Sequence, residues 1–328
     1  MIGPAEIRIG CASWLDRSLI EEGDFYPSKS MDAESRLRWY GEFFDFVEVD
    51  STYYALPSER NALLWNERTP PSFLFGVKAW ALMTGHRVKA ERLGREFREL
   101  LPKDAALNAR GEIDAKLFAP QALELAFTRF KEGLQPLAQS GKLGYVLFQL
   151  APWVHYGKEA MDYLSSLPER LPGWPLAVEF RHRSWMPDRA EEALRNLREH
   201  GLAHAAVDAP WAPRLMESTA GTFVLRCHGR NVEGWRAQLE GKEPSVCEKY
   251  DYLYSEEQVQ EIVAALRRVK AARVFAAFNN NNRDYPAVNG LQARRILGDK
   301  VPDPAERRLA WRPAPRRKPR QEEQPRLL

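Results

Sequence analysis

The chain has 328 residues, 44% of them hydrophobic and 28% charged, enough to bury a large core and unlike the make-up of a disordered or fibrous chain. Its formal charge is +3, but residues 312–328 carry a net of +4 and leave −1 on the other 311 residues, so the body shows no global electrostatic case for DNA. No stretch approaches the run of about 18 apolar residues that spans a membrane.

Eight short runs rich in β-branched and aromatic residues are predicted as strands: Ile7–Gly10, Phe46–Val49, Phe73–Val77, Tyr145–Leu150, Leu176–Phe180, Ala203–Val207, Thr222–Arg226 and Val274–Phe278. Several, such as FLFGV and VFAAF, are almost wholly apolar, as in a parallel sheet covered on both faces. Helix signals fall between them. Ser30 is expected to cap a helix carrying Leu37, Tyr40 and Phe44, and Ser58 a second that stops at Thr69-Pro70-Pro71. Pro120 fits the first turn of a longer helix with Leu123, Phe127, Phe130 and Leu134 on one side. Asp188 with Glu191, and Ser255 with Gln258, have capping-box spacing, and Gly201 and Gly298 stand where carboxyl caps are expected.

Eight strands alternating with helices fit a closed barrel or an open doubly wound sheet. No GxGxxG follows a strand and no GxxxxGK[ST] is present, which leaves the nucleotide-binding open sheets without support. The eightfold count favours an α/β fold of the (β/α)8 TIM-barrel type over residues 1–311, slightly irregular. Residues 209–221 join two strands with no helix signal, and 79–119 and 228–254 are long connections of the kind that often carry function. The tail 312–328, rich in Pro and Arg, is expected to be disordered: a solubilising extension, or a tether to nucleic acid or another acidic partner. The start MIGPAEIRIG lacks a secretory pattern. The three cysteines, Cys11, Cys227 and Cys247, show no CxxC spacing, so a disulfide framework is not expected and a cytoplasmic location is.

Barrel enzymes carry their chemistry at the carboxyl ends of the strands. There this chain places Trp14 after strand one, Glu48 and Asp50 along strand two with Tyr53 after it, Lys78 at the end of strand three and Gln149 on strand four. Strand five gives Glu179, Arg181 and His182, strand six Asp208, strand seven Arg226 and His228, and strand eight Asn279 and Asn280. Charges taken out of water cost about several kcal/mol each unless paired, so such a set forms either an ion-pair network or a ligand site, or both. Glu48, Lys78, Glu179 and Asp208 are the candidate catalytic groups. Glu179 and Arg181, two apart, are either a structural pair or an acid tuned by a cation. Lys78 is either a base or nucleophile of lowered pKa or the salt-bridge partner of Glu48. Arg181 and Arg226 suit a phosphate or carboxylate. Trp14, Tyr53, Trp153 and Trp185 either close the barrel mouth or stack on a sugar or base. His182 and His228 with Glu48, Glu179 and Asp208 could hold a divalent metal, although no HxH or HExxH spacing supports one. No cofactor is assigned.

At these places the chain resembles the YecE-like family of uncharacterised proteins. The matching pieces are IGCASW (9–14), FYP (25–27), FVEVDSTYYALPS (46–58), FLFGVKA (73–79), MTGH (83–86), LFQLAPW (147–153), AVEFRHRSW (177–185), VDAP (207–210), LRCHGR (225–230), YDYLYS (250–255), FNNN (278–281) and AVNGLQ (287–292). The resemblance spans about residues 7–297 and implies a TIM barrel with a polar pocket, without naming a reaction. Asp50 stands where the family usually has Asn, and the insertion near Leu101–Leu117 is long for it.

Three functions remain open. One is an enzyme, a hydrolase, lyase or isomerase, acting on a small phosphorylated or polyhydroxylated substrate such as a sugar or nucleotide. The second is a nucleic-acid binding or processing protein that uses the tail 312–328. The third is a ligand-binding barrel without catalysis.

Overall fold

The computed structural model describes residues 5–239 and 249–312, and the side chains of all of these except 237–239. Eight parallel strands close into a barrel: β1 Glu6–Ala12, β2 Phe46–Val49, β3 Leu74–Lys78, β4 Leu143–Gln149, β5 Leu176–Glu179, β6 Ala203–Asp208, β7 Thr222–Cys227 and β8 Arg273–Phe278. Each strand pairs with the next in chain order, and β8 pairs with β1. This is the TIM-type α/β barrel, and the apolar runs locate its strands to within one or two residues.

Among the described residues, every strand except β6 is followed by a backing helix: α1 Ala33–Phe43, α2 Glu59–Glu67, α3 Pro120–Gln139, α4 Lys158–Arg170, α5 Ala190–Glu199, then after β7 α6 Glu256–Leu266 and after β8 α7 Tyr285–Leu297. The β6–β7 connection carries only an isolated bridge between Ala209 and Ala212. The long β3–α3 connection folds a two-stranded ribbon, Val88–Lys89 against Glu112–Ile113.

Several helix ends follow the sequence. Ser58 accepts from the Asn61 N–H, and Ser255 with Gln258 forms a complete capping box. Gly201 and Gly298 adopt φ of 64° and 101° just past α5 and α7, a conformation that costs glycine little. Two ends differ. The cap of α1 is Asp32, whose carboxylate accepts from the Ser35 N–H at 2.7 Å, while Ser30 pairs with the Ser28 hydroxyl instead. The cap of α5 is the Arg189 backbone with no side-chain bond, and Asp188 is exposed. The first pair of strands meets at only two register positions, Cys11 with Val47 and Ala12 with Glu48. The buried Tyr40 hydroxyl completes the seam: it accepts from the Cys11 N–H at 2.8 Å and donates to the Phe46 carbonyl at 3.0 Å.

Among the described residues no helix is long and apolar enough to cross a membrane. Cys247 and the tail from residue 313 on lie outside the described residues, and with them the disorder expected of the tail and its alternative role as a tether to nucleic acid.

Candidate functional site

Side chains alternate along a strand, so a residue and its second neighbour share one face. Phe46, Leu74, Tyr145, Leu147, Ala177, Ala203, Ala205, Val224, Phe275 and Ala277 form one buried cluster drawn from seven strands. This is the apolar plug of the barrel. Two residues further toward the carboxyl ends stand Glu48, Gln149, Glu179, Arg226 and Asn279, from β2, β4, β5, β7 and the loop after β8. The strand period thus lays a polar floor on an apolar plug.

Arg226 is the centre of that floor. It is fully buried, as are Glu48 and Glu179. Its Nε and Nη2 donate to Glu48 at 2.7–3.1 Å. Its Nη1 donates to Glu179 Oε2 at 2.6 Å and to the Gln149 amide oxygen at 3.0 Å. Tyr145 reaches up from the plug and donates to Glu48 Oε2 at 2.7 Å. Space for its ring comes from Gly76, where a Cβ would lie 2.4 Å from Tyr145 Cζ.

Arg181 lies above this layer, with its side chain 11% exposed. It donates through Nε to the other oxygen of Glu179 and through Nη2 to Gln149 at 3.1 Å. Burial alone would raise the pKa of Glu179, but Arg181 and Arg226 overcome it and hold the carboxyl well below the usual range. His228 sits beside them, fully buried, with Nε2 3.3 Å from Arg181 Nη2 and Nδ1 2.7 Å from the Asn279 amide. Burial and the neighbouring Arg181 push its pKa down to about 3, so the ring is neutral at pH 7. Lys78 pairs with Asp50 at 3.4 Å and lies 5.0 Å over the Tyr53 ring. It does not pair with Glu48: the register sets Glu48 beside Gly76 and Val49 beside Val77, which leaves Asp50 level with Lys78.

The structure therefore brings together Glu48, Asp50, Tyr53, Lys78, Gln149, Glu179, Arg181, Arg226, His228 and Asn279. Four other candidates stand apart. Asp208 follows Val207 on β6 and faces the opposite way from Ala203 and Ala205. It is gripped by Arg230 at 2.8 Å and Arg214 at 2.9 Å and accepts from Tyr254 at 3.0 Å. It borders a separate cavity of about 310 Å³ lined also by Pro210, Val232 and Glu261. His182 bonds Ser184 and stacks on His155 at 3.9 Å. Trp14 packs edge-on against Trp65 at 5.9 Å. Asn280 bonds the Tyr252 carbonyl and Asn289, which in turn holds Tyr254, so it anchors the segment before α6. Trp185, fully buried, stacks on Phe180 and belongs to the core, while Trp153 is 41% exposed at the mouth.

With Asp208 and His182 turned away, the five groups considered for a metal do not converge, and among the described residues no group of three His, Cys, Asp or Glu side chains is arranged to hold one. Cys11 is buried and its thiol is pushed up to about 12 by that burial, which keeps it protonated and a poor nucleophile.

Sequence reasoning missed Tyr145, although it lies four residues before Gln149 on the same face of β4. It also missed the rings at the mouth. Trp211, Trp235 and Tyr250 surround His228 with centroids 6.3, 6.4 and 6.0 Å away. His86 stands 5.1 Å from Tyr53 and 5.7 Å from Trp153. These rings come from connections, where no period marks them.

The same chain matches, over residues 8–315, the family model described as "Protein of unknown function DUF72". UPF0759 protein YunF of Bacillus subtilis is 32% identical over 302 residues, covering 89% of this chain and 94% of its own length. A crystal structure of a DUF72 family protein from Thermotoga maritima superposes with a TM-score of 0.67 at 28% identity, over 90% of this chain and 100% of that one. Another DUF72 family protein, from Enterococcus faecalis, superposes with a TM-score of 0.69 at 23% identity, over 90% and 97%. A family match across the whole barrel, a curated relative aligned over most of both chains and a shared fold agree: the chain belongs to the DUF72 family of proteins of unknown function.

Proposed function

We propose that this protein, with motifs we equate with those called YecE-like, is an enzyme that acts on a small phosphorylated or polyhydroxylated substrate, a sugar or a nucleotide, by acid/base chemistry at the carboxyl end of the barrel. One observation carries the reading: Glu179 is a fully buried carboxylate held ionised between two guanidiniums. Buried groups with strongly displaced pKa values concentrate at functional sites.

Arg226 has donors engaged by Glu48, Glu179 and Gln149 and serves as a brace. Arg181 is nearer the mouth and is the guanidinium a ligand can reach. An anion that draws Arg181 toward itself weakens one of the two contacts that depress Glu179, so binding raises the proton affinity of this carboxylate when substrate is present. Lys78 has a single ion pair at 3.4 Å and is the cation of the floor that can meet a second anionic group. Gln149 and Asn279 orient polar groups of the substrate.

The test is turnover of a panel of sugar phosphates and nucleotides by the native chain, Glu179→Gln and Glu48→Gln, with unfolding midpoints recorded for each. The enzymatic reading expects a substrate whose turnover Glu179→Gln reduces by about 10²–10⁴-fold, the usual worth of a positioned acid or base. The engagement of Arg226 inside the protein favours a second reading, a binding barrel without catalysis. That reading expects both variants to alter affinity while no member of the panel is turned over.

A further inference from the structure

The wall of the mouth built by the connections after β6 and β7 holds donors without acceptors. Trp211 follows β6, and Trp235 lies on the Val232–Leu239 helix after β7. Their rings are 5.9 Å apart. The Nε1 atoms of both are buried and have no hydrogen-bond partner among the described residues, and Trp235 is only 7% exposed. Buried donors are nearly always satisfied, so two adjacent orphans point to an acceptor from outside the chain.

The charges on this wall say what kind of acceptor. Arg181 lies 4.9 Å over the Trp211 ring and the Lys249 ammonium 5.9 Å over the Trp235 ring. The floor balances itself, with Glu48, Glu179 and Asp50 against Lys78, Arg181 and Arg226. Lys249 has no carboxylate partner among the described residues and adds a second cation to this wall. An acceptor suited to two indole donors beside two cations is an anion. A tetrahedral oxyanion offers three or four equivalent oxygens to the four donor side chains, two indoles, a guanidinium and an ammonium, where a planar carboxylate offers two.

We infer that Trp211, Trp235, Arg181 and Lys249 form a docking subsite for a tetrahedral oxyanion of the phosphoryl class, which anchors the substrate while its remainder faces Glu179. The inference rests on the proposed substrate-binding role of the mouth, but it makes its own demand on the two indole N–H groups.

The experiment is calorimetric titration with inorganic phosphate, and with acetate as the planar control, at constant ionic strength. It is run on the native full chain, Trp211→Phe, Trp235→Phe, Lys249→Met and Glu179→Gln, with near-ultraviolet circular dichroism confirming the fold of each. Phenylalanine keeps an aromatic ring and removes only the donor. Each Trp→Phe change is expected to weaken phosphate about tenfold, the worth of one hydrogen bond to a charged group. Lys249→Met, at a half-buried position, gives a comparable loss and carries the test if a tryptophan variant does not fold. Acetate binds the native chain more weakly than phosphate. The inference is overturned if the native chain prefers acetate or binds neither ion, or if the folded variants bind phosphate as the native chain does. Glucose 6-phosphate binding more tightly than inorganic phosphate assigns the anion to a substrate, and equal affinity assigns it to the free ion; both keep the subsite. Phosphate binding that depends on the indoles, in a protein without turnover, refutes the enzymatic reading and retains the subsite. Turnover lost in Glu179→Gln, with phosphate binding indifferent to the indoles, does the reverse.

Discussion

Arg226 clasps both carboxylate oxygens of Glu48, a residue 178 positions earlier in the chain, and neither side chain is exposed to solvent. This pair joins β2 to β7 across the inside of the closed barrel and forms part of the floor of the candidate site.

Removing one partner of such a pair leaves an uncompensated buried charge. Arg226→Met leaves both Glu48 and Glu179 without their central cation and is expected to cost about 3–5 kcal/mol of stability. Glu48→Gln retains hydrogen-bonding capacity toward Tyr145 and Arg226 and costs less. Urea unfolding of the two variants checks the order; an Arg226→Met midpoint equal to that of the native chain refutes it.

Gly76 is required by its neighbour rather than by its backbone. A Cβ there would lie 2.4 Å from Tyr145 Cζ and 2.7 Å from its hydroxyl. Gly76→Ala should push the phenol off Glu48 and destabilise the barrel by about 1–3 kcal/mol, as overpacking does. Adding Tyr145→Leu to Gly76→Ala relieves the clash. A double mutant whose loss equals the sum of the two single losses shows that the two residues do not compete for space.

Asp208 is expected to act on stability and not on turnover. It is 3% exposed and holds Arg214, Arg230 and Tyr254 away from the polar floor. Asp208→Asn is expected to lower stability by about 1–3 kcal/mol through weakened charge-assisted bonds, while turnover at a temperature where the variant is folded stays close to native. A loss of turnover as large as that of Glu179→Gln at unchanged stability places Asp208 in the reaction.

Acid acts on the fold through buried histidines. His228 and His86 are depressed to about 3 and His204 to about 4, each chiefly by burial. Between these values and about 6.5 the unfolded chain binds protons that the folded chain refuses, so stability falls as pH drops through that window, by up to about 1.4 kcal/mol per pH unit for each histidine. Glu179 adds to this at lower pH. Its folded pKa is depressed, so its contribution is present above the unfolded carboxylate value and is lost as pH falls through the lower folded value. Urea midpoints at pH 7 and pH 5 measure the histidine part. His204→Phe, which keeps a ring against Phe180 and Phe223, should flatten the dependence, and an unchanged slope in that variant removes His204 from the account.

The barrel was legible because strands buried on both faces must be apolar throughout, and runs such as FLFGV and VFAAF contain little else. Caps were legible where one side chain decides them, as at Ser58 and Ser255, and not where the chain chose between near neighbours, as between Ser30 and Asp32. Glu48, Glu179 and Arg226 were visible as charges breaking apolar runs. Their pairing was not, because register and closure decide who meets whom: Lys78 finds Asp50, and Glu48 finds Arg226. The outward turn of Asp208 was hidden by the alanines on both faces of β6, which erase the alternation that would have revealed it. Trp211, Trp235 and Tyr250 sit in connections, and only the folded chain gathers them around His228.

The most direct test of the central claim is mass spectrometry of a small-molecule cell extract incubated with the native chain or with folded Glu179→Gln. The account expects at least one phosphorylated or polyhydroxylated compound to be consumed by the native chain and to persist with the variant. Equal consumption by both proteins, or no compound consumed by either, contradicts it.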